Sequence, residues 1–508
     1  MVHPDAALIS RLAADLRSAD FHSARIRAAW GESADDAFGR GTRVPALREL
    51  GDRRDPLAVL ARLLVLGVAQ PTTEVADAVP TLTTDGLVAL GLGEVSGDEI
   101  RPLALIRPQS YVDDSGVGGW WVASDLDETA LGGPLPDDHV LGVGGASLTL
   151  AGLQLTSPAS RVLDLGTGCG IQALRARRYA DAVVATDISA SALAYADFNA
   201  LLNGIDGIET RMGSLFEPVV GETFDRIVSN PPFVITPRRD DVPAYDYRDG
   251  GMQGDDLVSA VIAGVGEHLS PGGIAQFLGN WEYVGDGDGL DRVRAWIEAS
   301  PVPLDAWIVE REQLDPAEYA ALWIRDGGTV AGSGAHERLL DAWLDDFAHR
   351  DVTRIGFGYV LLRRAVGEPT LHRYERVGTP IPAEGSLGSH LVQVLAAHDR
   401  LATMSDADLA AARLLVAPDV TEARHHLPGQ EEPTVIELRQ GTGFGRALSV
   451  DPALAGLVGA CDGDLPVGSL SDAIAQLLEV DPTALRTDLL PRVRELLIDG
   501  FLRFPEQA

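Results

Sequence analysis

Two short runs carry residues whose types and spacing could do chemistry. The first, Asn230-Pro231-Pro232-Phe233, closes an apolar segment that begins at Phe224. Proline fixes its own φ and restricts the residue before it, so a double proline makes a rigid turn. Such a turn presents the Asn230 side-chain oxygen and the Pro231 carbonyl as two fixed acceptors for one planar –NH2 group, with the Phe233 ring against the flat face of a substrate. Holding both N–H bonds leaves the nitrogen lone pair pointed at an electrophile, and that orientation supplies much of the rate without a strong base. The second run places Asp164, Gly166, Gly168 and Gly170 between an apolar strand and a helix that begins near Ile171. The glycines allow a sharp bend and a close approach of backbone to ligand. Asp187 ends the next apolar run, where an acid is placed to accept from both hydroxyls of a ribose. No Gly-Lys-Ser/Thr follows the glycines, which excludes a P-loop.

These groups need elements to position them. Short β-rich runs at 161–165, 182–186, 226–229, 274–278, 306–310 and 356–362 alternate with helical patterns, which predicts a parallel, doubly wound sheet. The last two runs, separated by a helix near 337–347, are expected to be an antiparallel pair closing one edge. Around this catalytic domain, 161–375, the pattern predicts three further parts. Residues 1–110 show helical leucine spacing (Leu8, Leu12, Leu16; Leu57, Leu60, Leu63, Leu64), then a helix over 83–92 and a hairpin turning at Ser96-Gly97-Asp98. That succession predicts a winged-helix-like substrate or cap domain. Residues 111–160, rich in glycine and strand formers, read as a β-rich lead-in, with Trp120 and Trp121 assigned to packing and His139, which could also line a ligand pocket, to a structural or surface role. Pro380, Pro382 and Gly385 punctuate the chain before a second helical, winged-helix-like domain at 385–508. Its Asp462-Gly463 turn and closing Asp499-Gly500-Phe501-Leu502 resemble the small peptide-binding modules of the PqqD type.

Composition narrows the partners. The chain has 41 Lys+Arg against 75 Asp+Glu, a formal charge of −34, and no lysine among its cations. A surface so acidic repels polyanions unless arginines cluster locally, so nucleic acid is disfavoured as a partner. Arg238-Arg239 sit beside Asp240-Asp241, which leaves a phosphate or acidic-peptide contact and a solvated loop equally open. Two cysteines, Cys169 and Cys461, make neither a disulfide framework nor a cysteine zinc site, and His425-His426 lack partners at ligand spacing, so no metal is expected. The first 21 residues lack a basic start and a continuous apolar run, and 57–68 is too short and too charged to span a bilayer, so a cytoplasmic protein with no membrane partner is expected.

The order of the glycine loop, Asp187 and Asn-Pro-Pro-Phe resembles the class I S-adenosylmethionine-dependent methyltransferases, in the amino-methylating group with an Asn-Pro-Pro-Tyr/Phe motif, over residues 140–364. It is most similar to the HemK/PrmC glutamine methyltransferases, through Asp249-Gly250-Gly251 after the motif and Pro271-Gly272-Gly273 beyond it. The resemblance implies a Rossmann-like seven-stranded sheet and S-adenosyl-L-methionine as cofactor. Asp164, Gly166, Gly168 and Gly170 would cradle the methionine and ribose, Asp187 would take the ribose, and Ile188, Ser214, Leu215 and Asn230 would complete the pocket; Ala196 and Asn199 are structural. Asn230, Pro231, Pro232 and Phe233 would then be the catalytic turn, moving a methyl to a planar amide or amino nitrogen, with a glutamine-like side chain on a protein or peptide as first choice. Phe233 stands where the glutamine enzymes commonly carry Tyr and the nucleobase enzymes often carry Phe. An RNA or DNA adenine/guanine amino-methyltransferase is therefore the alternative, followed by a natural-product methyltransferase and a non-catalytic scaffold. The oligomeric state is left open.

Overall fold

Val162 to Leu165, Val183 to Thr186 and Ile227 to Ser229 are buried along most of their length, and strands hidden on both faces belong inside a parallel sheet covered by helices. The computed structural model describes residues 1–505 apart from 114–115, 133–134, 137, 240–241, 243–245 and 382–386. Asp240, Asp241, Pro382 and Gly385, singled out above, lie outside the described residues. The chain divides into two units, one of residues 1–151 and 158–376, the other of 152–157 and 377–508.

The first unit is built on a mixed sheet of β1 (Ala159–Leu165), β2 (Ala180–Asp187), β3 (Ile208–Met212), β4 (Phe224–Ser229), β5 (Leu269–Val284), β6 (Leu304–Leu314), β7 (Val352–Arg364) and β8 (His372–Arg376). Its order is β8-β6-β7-β5-β4-β1-β2-β3. β1 to β5 are parallel, and β7 runs antiparallel between β5 and β6, so the expected closing pair is present. The strand order reverses between β1 and β4, the crevice where sheets of this class take ligands. Register brings the three runs singled out above together there: Leu165 pairs with Thr186 on one side and with Ser229 on the other. The next residues in each chain are Gly166, Asp187 and Asn230.

Three features differ from the sequence reading. Among the described residues the sheet has eight strands, not seven, because β8 adds in parallel to β6. Its sequence, His-Arg-Tyr-Glu-Arg, has no aliphatic alternation; it is held by an indole N–H from Trp307 to Glu375 at 2.7 Å and by Arg376 to Glu310 at 2.8 Å. Second, the lead-in is only half β. Ala104–Asp113 and Gly116–Asp125 form a hairpin, but Gly145–Leu153 is a helix, where leucines spaced along a run of small residues outweigh the leading glycines. Third, the β6–β7 connection holds two helices, α3 (Pro316–Asp326) and α4 (Gly334–His349), where one was expected.

Residues 1–110 fold as short helices with a three-stranded sheet of Gln70–Pro71, Gly93–Ser96 and Glu99–Pro102, the hairpin turning at Gly97. Their core is continuous with α1 (Ile171–Ala176) and α2 (Ala190–Leu202) of the sheet layer: Leu12, Leu16 and Leu64 share one cluster with Ile171, Tyr195 and Phe198. The 104–125 hairpin is fastened to α2 by Asn199, whose side chain accepts from Ala123 N–H at 2.7 Å and donates to its carbonyl at 2.9 Å.

The second unit has helices Leu387–Ala402, Pro452–Gly459, Val467–Leu477 and Pro482–Ile498 around a core that includes Leu409, Leu457, Val467, Val493 and Phe501. It carries more strand than the helical pattern predicted. Arg413–Val416 pairs with Asp462–Pro466 and Leu502–Arg503, and Val420–His425, Val435–Gln440 and Ala447–Val450 make an antiparallel meander.

Candidate functional site

At the β1/β4 switch point lies a cavity of about 500 Å³. Its floor is the glycine loop. Gly166, Gly168 and Gly170 all have positive φ (71°, 53° and 85°), a region that costs any residue with a Cβ. A Cβ at Gly166 or Gly168 would meet nothing within 4 Å, so both face open space, whereas one at Gly170 would press on Ala196 Cα at 3.0 Å. Gly166 and Gly168 therefore line the cavity, while Gly170 starts α1 and sets how closely that helix packs on α2.

Asp164 stands behind the wall rather than in it. It is fully buried; one carboxylate oxygen accepts from the Thr167 hydroxyl at 2.6 Å and from Ala173 N–H at 2.9 Å. The other oxygen is buried with no hydrogen-bond partner. Burial pushes this carboxyl up to about 7 against those two hydrogen bonds, with the Asp187 charge adding to the rise. Asp187, at the tip of β2, lines the cavity and folds the loop onto the sheet: it accepts from Gly168 N–H and from Ser189 N–H, both at 2.9 Å. Ile188, 55% exposed, continues the wall, and Ser214 and Leu215 after β3 complete that side. Leu215 adopts φ of +46° although it is not glycine, a strained conformation of the kind found at ligand sites.

The Asn-Pro-Pro-Phe turn forms the opposite lip, and all four residues line the cavity. Ser229 holds the turn to the glycine loop through its hydroxyl, which donates to the Leu165 carbonyl at 2.7 Å. The Asn230 amide nitrogen lies 3.3 Å from the Ser147 hydroxyl, and its Oδ1 is buried without a partner. Phe233 is fixed between Trp323, edge-on at 6.3 Å, and Phe357 at 5.5 Å. Behind it Val234 N–H donates to the Arg248 carbonyl at 2.7 Å. The double-glycine segment follows, with Gly250 and Gly251 at positive φ. Arg238 clamps it by donating to Asp249 and to the Asp249 and Met252 carbonyls at 2.7–3.0 Å. Arg238 is thus engaged within the site's own framework.

The structure brings together ten of the twelve residues singled out by sequence and sets Asp164 and Gly170 behind them. Others were missed. His139, buried, lines the cavity beside Asp125, and burial holds its imidazole below the ordinary histidine range. Glu128, whose carboxyl burial pushes up, lines it from the same segment. Trp323 and Asp326 reach it from α3. The start of α3 was readable: Asp315-Pro316 precedes Glu318, and the Asp315 side chain caps Glu318 N–H at 2.8 Å. Trp120 and Trp121 lie away from it; the Trp120 ring packs tilted against Tyr111, centroids 4.1 Å apart, and Trp121 donates to the Phe21 carbonyl at 2.6 Å. Among the described residues no group of three or more His, Cys, Asp and Glu is arranged to hold a metal, and no helix is long and apolar enough to cross a membrane.

Residues 144–281 match the family model described as the methyltransferase small domain, while 18–103 and 394–504 match two models described only as domains of unknown function. A release factor glutamine methyltransferase of Xylella fastidiosa (strain 9a5c) is 37% identical over 175 residues, covering 34% of this chain and 53% of that protein. A ribosomal protein uL3 glutamine methyltransferase of Bradyrhizobium diazoefficiens is 36% identical over 151 residues, covering 28% and 46%. The chain spans about half the length of these relatives. A solved ribosomal protein L11 methylase from Lactobacillus delbrueckii subsp. bulgaricus is 21% identical with a TM-score of 0.26, covering 44% of this chain and 81% of that one.

Proposed function

We propose that this protein is an S-adenosylmethionine-dependent N-methyltransferase acting on a primary amide, a glutamine-like side chain of a protein or peptide. The observation that carries the reading is the buried, unpartnered Oδ1 of Asn230, held on a double-proline turn at the lip of a glycine-floored cavity. An unmatched buried acceptor is costly, and a substrate N–H would satisfy it.

The residues fit the cofactor. Gly166 and Gly168 leave a backbone cradle open where side chains would otherwise stand. Asp187 lines that cradle at the tip of β2, where its carboxylate would accept from a ribose. Ile188, Ser214 and Leu215 would hold the adenosine end. When bound, the cofactor supplies an electrophilic methyl group on a cationic sulfur. Everything else falls to the chain. Asn230 Oδ1 and the Pro231 carbonyl accept the two N–H bonds of the acceptor and turn its lone pair toward the methyl, and the nitrogen releases one of those two protons to solvent as it takes the methyl. Phe233, set by Trp323 and Phe357, supports the planar group from one face and keeps water from it. Orientation of this kind replaces a strong base. The two similar glutamine methyltransferases, read with the net charge of −34, support a protein substrate over nucleic acid.

The test is transfer of labelled methyl from S-adenosylmethionine into a lysate of the source cells, divided into protease-treated, nuclease-treated and small-molecule fractions. Label lost to protease and recovered as methylglutamine is the expected result. Label lost to nuclease instead would make Phe233 the informative residue and overturn the amide reading in favour of a nucleobase amine.

A further inference from the structure

The wall opposite the glycine loop contains a second unmatched polar atom. Trp323 lines the cavity, and its indole Nε1–H is buried with no hydrogen-bond partner. This is not a loosely placed side chain. The α3 backbone is held at that position by Arg248, which donates to the Trp323 carbonyl at 2.8 Å. One turn earlier Tyr319 is fully buried, its hydroxyl accepting from Asn280 at 2.6 Å and from Ile235 N–H at 3.0 Å. The indole itself meets the edge of Phe233. The Ile235 bond ties α3 to the chain just beyond the Asn-Pro-Pro-Phe turn, and the Phe233 contact ties Trp323 to the turn itself. Asn230 and Trp323 both line the cavity, and each holds one buried, unpartnered polar atom just beneath its wall: an acceptor in Asn230 Oδ1 and a donor in Trp323 Nε1–H, with the Phe233 ring packed against the indole. A primary carboxamide offers the complementary pair: N–H donors on one atom and a carbonyl acceptor on its neighbour in the same plane.

We propose that Trp323 is a substrate-binding residue whose indole N–H donates to the carbonyl oxygen of the acceptor carboxamide, while Asn230 takes an N–H of the same group. The inference rests on the amide reading of the function and goes further in naming what selects the amide. A site built to hydrogen-bond a substrate group discriminates strongly against analogues that lack it, because its own buried atoms are then left unpaired. Trp323 lies outside residues 144–281, the segment that matches the methyltransferase model. Recognition of the carbonyl is thus supplied by the helical insertion between β6 and β7, and transfer by the sheet edge.

The experiment compares the full-length chain with its Trp323→Phe variant, which keeps a ring against Phe233 and removes only the N–H. The probe is N-acetylglutamine N′-methylamide with labelled S-adenosylmethionine. The expected result is a roughly 10- to 100-fold loss of kcat/KM carried mainly by KM, with the dissociation constant for S-adenosylmethionine unchanged within about twofold, since the cofactor does not use this N–H. A second measurement needs no variant to be active. In protein labelled with ¹⁵N-tryptophan, the indole resonance that is missing from the variant shifts when the probe is added to wild type, and does not shift with the glutamate analogue. Retention of kcat/KM within about threefold, or a Trp323 resonance that does not move while the probe is methylated, overturns this inference and leaves the amide reading standing. Failure of wild type to bind or methylate the probe overturns both.

Discussion

The cavity has two walls of different origin. One is made by the tips of β1, β2 and β4, whose register sets Gly166, Asp187 and Asn230 side by side. Each of its groups follows directly on a strand, so its position is settled by local sequence and sheet pairing. The other is assembled from Glu128, His139 and Ser147 on one side and Trp323 and Asp326 on the other, almost two hundred residues apart in the chain. It is held by the docking of the 104–125 hairpin on α2 and by the bond from Tyr319 of α3 to the segment after the Asn-Pro-Pro-Phe turn. The first wall belongs to the segment shared with the methyltransferase model, and Trp323, Glu128 and His139 lie outside it. On the reading proposed above, transfer chemistry sits on the wall that pairing dictates, and substrate choice on the wall that packing dictates.

The sharpest way to break that division is Asn230→Ala. If orientation by the turn supplies the rate, turnover falls by about three orders of magnitude or more, while calorimetric binding of S-adenosylmethionine changes little because the glycine cradle is intact. A variant that retains a tenth of wild-type turnover shows that the turn does not orient the acceptor. The effect is expected in kcat rather than in cofactor affinity, whereas the Trp323→Phe loss falls on substrate KM. Opposite signatures on opposite walls would sharpen the comparison, and a shared signature would dissolve it.

A second test concerns the support of the sheet-edge wall. The folded chain keeps the Asp164 proton up to a pH of about 7, whereas the unfolded chain gives it up near 4. Between those values the folded state binds more protons, so this group's contribution to stability falls as pH rises through the interval. Asp164→Asn removes the titration and keeps an oxygen to accept from Thr167 and Ala173. The thermal midpoint of the variant relative to wild type should therefore rise from pH 5 and level off above pH 7, by an amount that corresponds to at most about 3 kcal/mol between pH 5 and pH 8. A midpoint difference independent of pH would mean that the carboxylate is ionised throughout and paired by a group other than Thr167 and Ala173.

How far the sequence revealed this site follows the same division. Asp164, the three glycines, Asp187 and the Asn-Pro-Pro-Phe turn were readable because each occupies a fixed offset from an apolar strand, and strand register then decides the rest. The helix at 145–153 was read as strand because its glycines and β-formers compete with leucine spacing, and β8 was invisible because an edge strand of alternating charges has no apolar period to detect. His139 is open in the sequence to a place in the pocket but is assigned to a structural role, and Trp323 gives no signal, since neither is locally unusual; their places on the cavity come from contacts with residues far away in the chain. The strands at 413–450 in the second unit were missed because several of their positions are exposed and charged, as in Thr421 to Arg424 and Glu437 to Arg439.

The smallest expected effect bears on the residue that belongs to both walls. Phe233 comes from the Asn-Pro-Pro-Phe turn yet is positioned by Trp323 and Phe357. On the proposed mechanism the ring contributes a flat apolar surface, and its far edge carries no bonding role, so a hydroxyl added there has little to gain or lose. Phe233→Tyr should leave kcat/KM for N-acetylglutamine N′-methylamide within about threefold of wild type, whereas loss of the ring in Phe233→Ala should cost about 10-fold or more by removing the support for the acceptor plane. If Phe233→Tyr instead raises activity on the amide about 10-fold, the hydroxyl has found a partner on the acceptor, and the ring edge takes part in recognition. The choice of substrate would then reside in the turn itself, and the division between a transferring wall and a selecting wall would fail at the one residue they share.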